Sequence, residues 1–241
     1  MSNRTMSIWR LALPTLSLAA LLTAPKLGAT ESAAGPAPRN PQILESVARI
    51  AEGLRASKYN HATIVNEREG RYEFDCSGFV TWVLRRTAPG AHAALLARSQ
   101  KQRPLARDYY WEIAKAPVGD RAPRGVRRVP RIDEAQAGDI VAWLKPEQLR
   151  HSPHTGHVGF LLERPRPVPE LENAFVVRIA DASSYQHDED DRYGSGRTGF
   201  GSGVILLVAD PQTGQPKQYG WFGVRSAYVF ETPIAIGRVV R

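Results

Sequence analysis

The chain has 241 residues, with 32 Lys or Arg against 24 Asp or Glu, and therefore a formal net charge of +8. About 200 residues are enough for one domain with a sizeable core, and the sequence shows no internal repeat and no second domain. The basic residues are scattered rather than interleaved with aromatic ones, which argues against nucleic-acid binding.

The N-terminus has the layout of a secretory signal peptide. Arg4 and Arg10 precede an apolar stretch at 11–22, and small residues follow it. A basic start, a short apolar core and small residues are typical of a cleaved signal, and this core is too short for a comfortable membrane span. We assign residues 1–29 to the signal, with a retained anchor as the alternative, and expect no stable membrane insertion after cleavage.

Ala, Pro and Ser dominate residues 30–40, which we interpret as a disordered tether before a single folded domain at 41–241. Loss of the signal would remove three basic residues and no acidic one, so the net charge would fall from +8 to +5. A basic exported protein is attracted to polyanions. We therefore expect a periplasmic or extracellular protein, and we expect it to be a monomer.

Two helices are predicted in the first part of the domain. Apolar residues at helical spacing predict one helix over 41–54 and another over 76–86. Between 87 and 135, five prolines predict irregular chain. The aromatic cluster at 109–111 is interpreted as core packing rather than as a platform for substrate.

The rest of the chain is predicted to form strands. Apolar or β-branched runs separated by turn residues predict strands over 139–143, 157–162, 175–180, 204–209, 219–222 and 234–240. Helices followed by closely spaced strands are typical of an α+β domain with a mostly antiparallel sheet.

Cys76 is the one cysteine of the chain, and it lies in the sequence Asp-Cys-Ser-Gly-Phe-Val at 75–80, where the second helix is predicted to begin. A lone thiol cannot form an intramolecular disulfide. A helix N-terminus offers unpaired backbone N–H groups and the positive end of the dipole, which favour a thiolate. We therefore predict that Cys76 is a nucleophile, with a small buried core residue as the alternative.

A cysteine nucleophile needs a base and a group that orients the base. Among the six histidines, His157 is the best candidate because it begins an apolar strand after a glycine. Asp181 ends the next predicted strand, where an antiparallel neighbour would bring its carboxylate beside the imidazole. Alternatively, Asp181 caps the following turn and Ser183 or His187 is the orienting residue.

Three other patterns suggest ligand sites that we do not predict. His151, His154 and His157 are spaced three apart, but a proline interrupts them, and we predict no metal site. The acidic run at 187–191 lacks the ligand spacing of a calcium loop and is interpreted as a solvated turn. The glycine-rich run at 199–203 precedes no helix and is interpreted as a flexible turn rather than a phosphate loop.

Three short motifs resemble those of the NlpC/p60 cell-wall cysteine peptidases. They are Asp-Cys-Ser-Gly-Phe-Val at 75–80, Ala-Gly-Asp-Ile-Val at 137–141 and Gly-His-Val-Gly at 156–159. The resemblance spans the predicted domain and implies a papain-like architecture, with the nucleophile helix packed on the sheet. The family's cysteine, histidine and third polar residue correspond to Cys76, His157 and Asp181.

The resemblance also implies a substrate. It implies hydrolysis of peptide stems of peptidoglycan, typically between γ-D-glutamate and a diamino acid, without a metal or organic cofactor. The residues that flank the cysteine, Asp75 and Ser77, can touch substrate in this family, although Asp75 can equally cap the helix. A tyrosine upstream of the cysteine often lines the family's site, and both Tyr59 and Tyr72 qualify.

We therefore predict an exported cysteine peptidase or amidase. One alternative is a cysteine amidase or acyltransferase that acts on another amide or thioester. The other is a non-catalytic wall-binding domain in which the site has become a ligand pocket.

Overall fold

A computed structural model describes residues 38–119 and 125–240. The predicted signal and nearly all of the predicted tether lie outside these residues. Contacts place every described residue in one unit, Ala34–Arg241. Within the described ranges, every helix is too short or too polar to cross a membrane.

Four α-helices form in the described part of the chain: α1 Asn40–Gly53, α2 Cys76–Thr87, α3 Pro89–Ser99 and α4 Ala106–Ala114. The first two confirm the predicted helices. The other two correct the prediction of irregular chain between 87 and 135. Pro89 opens α3 instead of breaking it, because a proline in the first helical turn removes no intrahelical hydrogen bond.

Twelve strands form two sheets in the described residues. The small sheet contains β1 Ala56–Tyr59, β2 Ile64–Asn66 and β3 Arg71–Phe74, in the order β1-β3-β2. The large sheet contains β4 Gly125–Val129, β5 Ile140–Leu144, β6 Gly156–Leu161, β7 Arg166–Pro167, β8 Ala174–Ser183, β9 Gly199–Ala209, β10 Pro216–Gly220, β11 Phe230–Glu231 and β12 Ile234–Val240.

The large sheet has the order β11-β10-β9-β8-β6-β5-β12-β4, with β7 paired to β8, and all its pairs are antiparallel. This arrangement confirms the α+β class. Successive residues of β5 enter two different apolar clusters, since Ala142 packs with the helices and Trp143 packs with other strands. The sheet is therefore buried on both faces around β5 and β6.

Helix α2 is fixed on the sheet by aromatic contacts. The ring centroid of Phe79 lies 5.7 Å from that of Phe160 in β6 and 5.2 Å from that of Phe200 in β9. Val80 and Val83 are also fully buried. Because Phe79 belongs to the first turn, this packing holds the start of α2 beside the central strands.

Two segments that were predicted to be flexible or disordered belong to the fold. Residues 199–203 are not a flexible turn but the start of β9. The last residues of the predicted tether belong to the fold, because Pro38 bridges to Val240 and the buried Asn40 donates a 2.9 Å hydrogen bond to Asp139. A buried side chain with a fixed partner cannot remain part of a disordered segment.

Candidate active site

Cys76 is the first residue of α2 and is 9% exposed. Asp75 precedes it in an extended conformation and caps the helix, its Oδ1 accepting hydrogen bonds from the Gly78 amide at 2.8 Å and the Ser77 hydroxyl at 3.0 Å. The amides of the first turn have no acceptor inside the helix. The thiol therefore lies at the positive end of a short, well-capped helix.

The second oxygen of Asp75 is also occupied. Oδ2 accepts a 3.0 Å hydrogen bond from His61 Nδ1 and pairs with Arg103. Burial alone would raise the pKa of Asp75, but the contacts with His61, the Gly78 amide and Arg103 together lower it below its ordinary value. The structure thus gives Asp75 the capping role, while substrate contact by Asp75 and Ser77 remains a prediction.

His157 is the second residue of β6 and is held by its neighbours. Gly156 has a φ of +137°, and a Cβ there would collide with the Trp143 carbonyl oxygen, so the turn into β6 requires glycine. The imidazole lies against Trp143 and Trp221, with ring centroids 5.0 and 5.1 Å away. Its orientation is therefore set before any substrate binds.

Asp181 in β8 completes the predicted set. The β6–β8 register pairs Phe160 with Ala180, which places Asp181 opposite Gly159 and diagonal to His157. A Cβ on Gly159 would lie 3.3 Å from that of Asp181, so the glycine leaves space for the carboxylate. His157 Nε2 lies 2.7 Å from Asp181 Oδ2. With Nε2 engaged, Nδ1 is the nitrogen left to accept a proton from the thiol.

Cys76 and Asp181 both act on the charge of His157. Burial would lower the pKa of His157, but negative charge on Cys76 and the hydrogen bond to Asp181 outweigh it and raise the pKa to about 9. Burial would likewise raise the pKa of Asp181, yet the adjacent His187 and His157 hold it far below its ordinary value. The arrangement favours an imidazolium on His157, between the sulfur of Cys76 and the Asp181 carboxylate.

Two buried residues form a cluster with Asp181 that the sequence did not predict. His187 is fully buried, and its Nε2 also lies 2.7 Å from Asp181 Oδ2. Arg192 is buried too, with Nη2 at 3.3 Å from Asp181 Oδ1 and two hydrogen bonds to Asp190 at 2.6 and 2.7 Å. His187 had been considered only as an alternative to Asp181, whereas the structure contains both.

The segment at 187–191 is therefore not a solvated turn. Asp188 and Asp190 are buried, and Asp190 accepts a 2.7 Å hydrogen bond from the His187 amide. Two glycines of β9 make room for this segment, since a Cβ on Gly203 would lie 2.6 Å from that of His187. The acidic composition suggested exposure, but Arg192, which directly follows the run, is buried with it and compensates the charge of Asp190.

The structure separates the two candidate tyrosines. Tyr59 is half-buried close to the thiol, and burial together with the charges on Cys76 and Asp75 raises its pKa to about 12. Tyr72 lies instead in the core, with its ring centroid 6.1 Å from those of Phe74 and Trp82. Tyr59 is thus the tyrosine at the candidate site, and it carries a protonated hydroxyl.

The aromatic residues at 109–111 were predicted to pack in the core rather than to form a platform for substrate, and the structure separates them. Tyr109 is buried and its hydroxyl lies 2.8 Å from that of Thr81 in α2. Trp111 is 49% exposed. Tyr110 is partly buried against the same core, so core packing is the role of Tyr109 and Tyr110 but not of Trp111.

Within the described ranges, His157, Asp181 and His187 are the one group of three that could hold a metal ion, each offering a ligand atom within 4.8 Å of the others. His151 and His154, which form the predicted spacing with His157, are not in this group. Both histidine Nε2 atoms lie at hydrogen-bond distance from one carboxylate oxygen. Protons on these nitrogens account for the geometry as it stands.

Comparison with known proteins places the chain in a family. It is 30% identical over 182 residues to "Uncharacterized protein R653" of Acanthamoeba polyphaga mimivirus, an alignment that covers 68% of this chain and 77% of that protein. The chain belongs to the same family as that protein. No family model and no solved structure matches it.

Proposed function

We propose that the protein is an exported cysteine hydrolase that cleaves an amide bond in the peptide stems of peptidoglycan, of the γ-D-glutamyl–diamino acid type. The observation that supports the hydrolase proposal is that the only thiol lies at a helix N-terminus beside His157, whose Nε2 is 2.7 Å from Asp181 Oδ2. The substrate class rests on the three motifs that resemble NlpC/p60 peptidases and on the positive charge of the predicted mature chain.

The first half of the reaction follows from this geometry. The sulfur of Cys76 attacks the amide carbonyl carbon after its proton has passed to His157. The carbonyl electron pair moves to oxygen, where the backbone N–H of Cys76 can stabilise the oxyanion. Collapse breaks the C–N bond, the imidazolium gives its proton to the departing amine, and an acyl thioester remains on the sulfur.

Water completes the second half. His157 accepts a proton from the attacking water, whose oxygen forms the new bond to the acyl carbon. Collapse breaks the C–S bond, releases the carboxylic acid and returns the proton to the Cys76–His157 pair. Asp181 keeps its negative charge throughout and stabilises the imidazolium in both halves.

The direct test is incubation of the purified chain with insoluble peptidoglycan, followed by mass spectrometry of the soluble fraction. We expect defined peptide fragments from the wild type and none from Cys76→Ala, with both proteins giving the same circular dichroism spectrum. Sedimentation with the wall without fragments would indicate the binding domain instead. Fragments released equally by Cys76→Ala would contradict the hydrolase proposal.

A further inference from the structure

A cavity lies where α4 passes the connection between β5 and β6. Its volume is about 410 Å³, and none of the described residues that line it is acidic. We call it the α4 pocket. Its walls include Arg107, Trp111, Leu144, Lys145, His154 and Thr155.

The α4 pocket concentrates positive charge. Arg107 is exposed and has no ion pair among the described residues. Lys145 donates hydrogen bonds from Nζ to the carbonyl oxygens of Arg150 and Ser152 at 2.9 and 2.8 Å. These bonds hold the ammonium group at the wall of the pocket and leave one of its three N–H protons to donate to a ligand. Two cations that face a cavity without a carboxylate form a site for an anion.

His154 supplies an independent observation. Its Nδ1 atom is buried and has no hydrogen-bond partner in the described part of the chain. A buried polar atom without a partner carries a desolvation cost that a bound ligand can remove. Burial, Lys145 and His157 together lower the pKa of His154, so the ring is neutral at pH 7 and offers one N–H donor.

The α4 pocket also adjoins the catalytic histidine. Trp143 and Leu144 at the end of β5 pair with His157 and Gly156, and His157 is close enough to His154 for its charge to help lower the pKa of His154. Trp111 lies one helical turn after Arg107 on the same side of α4 and adds a flat apolar wall. A ligand in the pocket would therefore have an anionic end and an aliphatic part beside the reaction centre.

We propose that the α4 pocket binds a carboxylate of the substrate close to the scissile amide, and that Arg107 is its principal partner. This inference deepens the proposed function and rests on it for the identity of the ligand as substrate. The guanidinium forms paired hydrogen bonds with a carboxylate, and Lys145 and His154 complete the contacts. The pocket thereby selects peptides whose acyl or amine side carries a free carboxylate.

Binding can be tested without turnover. Glutarate, its neutral diamide and inorganic phosphate are each added to the full chain with ring-labelled histidine, and the titration midpoint of His154 is followed by NMR. A bound carboxylate favours the imidazolium, so glutarate should raise the midpoint in the wild type and in Arg68→Gln, an exposed charge-matched control outside the pocket. The diamide should not, and Arg107→Gln should lose the effect.

An effect of phosphate without an effect of glutarate would overturn the carboxylate assignment in favour of a phosphate site. An unmoved midpoint with both anions, or the same response in Arg107→Gln, would overturn the pocket itself. These results do not depend on hydrolysis, so they are separate from failure of the proposed function.

Enzyme kinetics provide a second test of the α4 pocket. With a matched pair of stem peptides, one with a free carboxylate next to the scissile amide and one with a carboxamide, the wild type should prefer the carboxylate. Arg107→Gln should lower kcat/KM for the carboxylate peptide by about ten- to hundredfold, mainly through KM, and leave the carboxamide peptide unaffected. Equal loss on both peptides would contradict a role in carboxylate recognition.

Discussion

One carboxylate oxygen serves two imidazoles at the candidate site. Asp181 Oδ2 lies 2.7 Å from Nε2 of both His157 and His187, while Oδ1 faces Arg192 at 3.3 Å. A buried carboxylate with this many positive or donor partners stays ionised. The charge state of His157 therefore depends on a fully buried residue.

Asp181→Asn should lower the rate by about tenfold or more, because it removes the charge that stabilises the imidazolium. It should also move the alkaline limb of the pH–rate profile to lower pH. The pKa of His157 is raised to about 9 in part by this carboxylate, so its loss makes the imidazolium give up its proton earlier. The measurement is kcat/KM between pH 5 and 10, and an unchanged rate and profile would show that Asp181 serves structure alone.

His187 should act as a positioning residue through Asp181. His187→Ala should lower kcat by about tenfold with little change in KM, whereas His157→Ala should cost at least about a hundredfold. His187→Gln keeps an N–H donor and should recover part of the loss. His151→Ala, at an exposed histidine outside the cluster, is the control. Equal activity of His187→Ala and the wild type would leave His187 without a catalytic effect.

At the scale of elements, the start of α2 depends on its cap. Asp75→Ala removes the hydrogen bond to the Gly78 amide and leaves His61 and Arg103 without their shared carboxylate. It should lower the free energy of unfolding by about 1 kcal/mol or more. Urea denaturation measures this loss, and Asp75→Asn, which keeps a capping oxygen, should lose less.

The same cap has a defined pH dependence. The pKa of Asp75 is lower in the folded chain than its ordinary value. Its stabilising contribution is therefore complete above the ordinary pKa and is lost as the pH falls through the folded value. The difference in stability between wild type and Asp75→Ala should shrink on acidification, and a constant difference would contradict the ionic part of this argument.

The sequence predicted α1, α2 and six of the twelve described strands, because the apolar residues of these elements repeat at the period of a helix or a strand. It failed at α3 and α4 because prolines there were interpreted as breakers, although Pro89 opens a helix. It failed at 199–203 because glycines were interpreted as flexible, although Gly201 and Gly203 accommodate buried neighbours in a strand. Local composition does not reveal which side chains arrive from a distant segment.

The candidate site was likewise predicted only in part. Cys76 and His157 were found from their places at the start of a helix and a strand. His187 and Arg192 were not found as partners because they lie in the connection between β8 and β9, where the sequence has no period. Only the register of the sheet and the burial of this connection bring them to Asp181.

At the scale of the whole molecule, the groups proposed as nucleophile, base and orienting carboxylate come from α2, β6 and β8, three elements that pack directly together. Acyl transfer by such groups needs neither a metal ion nor an organic cofactor.

Treatment with EDTA followed by dialysis should therefore leave the rate unchanged within about twofold. Added Zn²⁺ should inhibit, because neutral imidazoles and a thiolate are the ligands that it prefers. Loss of activity with EDTA and its recovery with Zn²⁺ would instead assign His157, Asp181 and His187 to a metal centre. Metal content measured on the untreated protein is the accompanying control.

The lone cysteine at the start of α2 allows the candidate site to be labelled specifically. Because the chain has one thiol, every thiol-directed label added to the intact molecule reports on this location and no other. Labelling stoichiometry then counts competent molecules in a preparation, without a background reaction to subtract. The single thiol also makes the protein vulnerable, because oxidation of Cys76 would abolish the proposed activity. No second cysteine is present to convert an oxidised Cys76 into an internal disulfide.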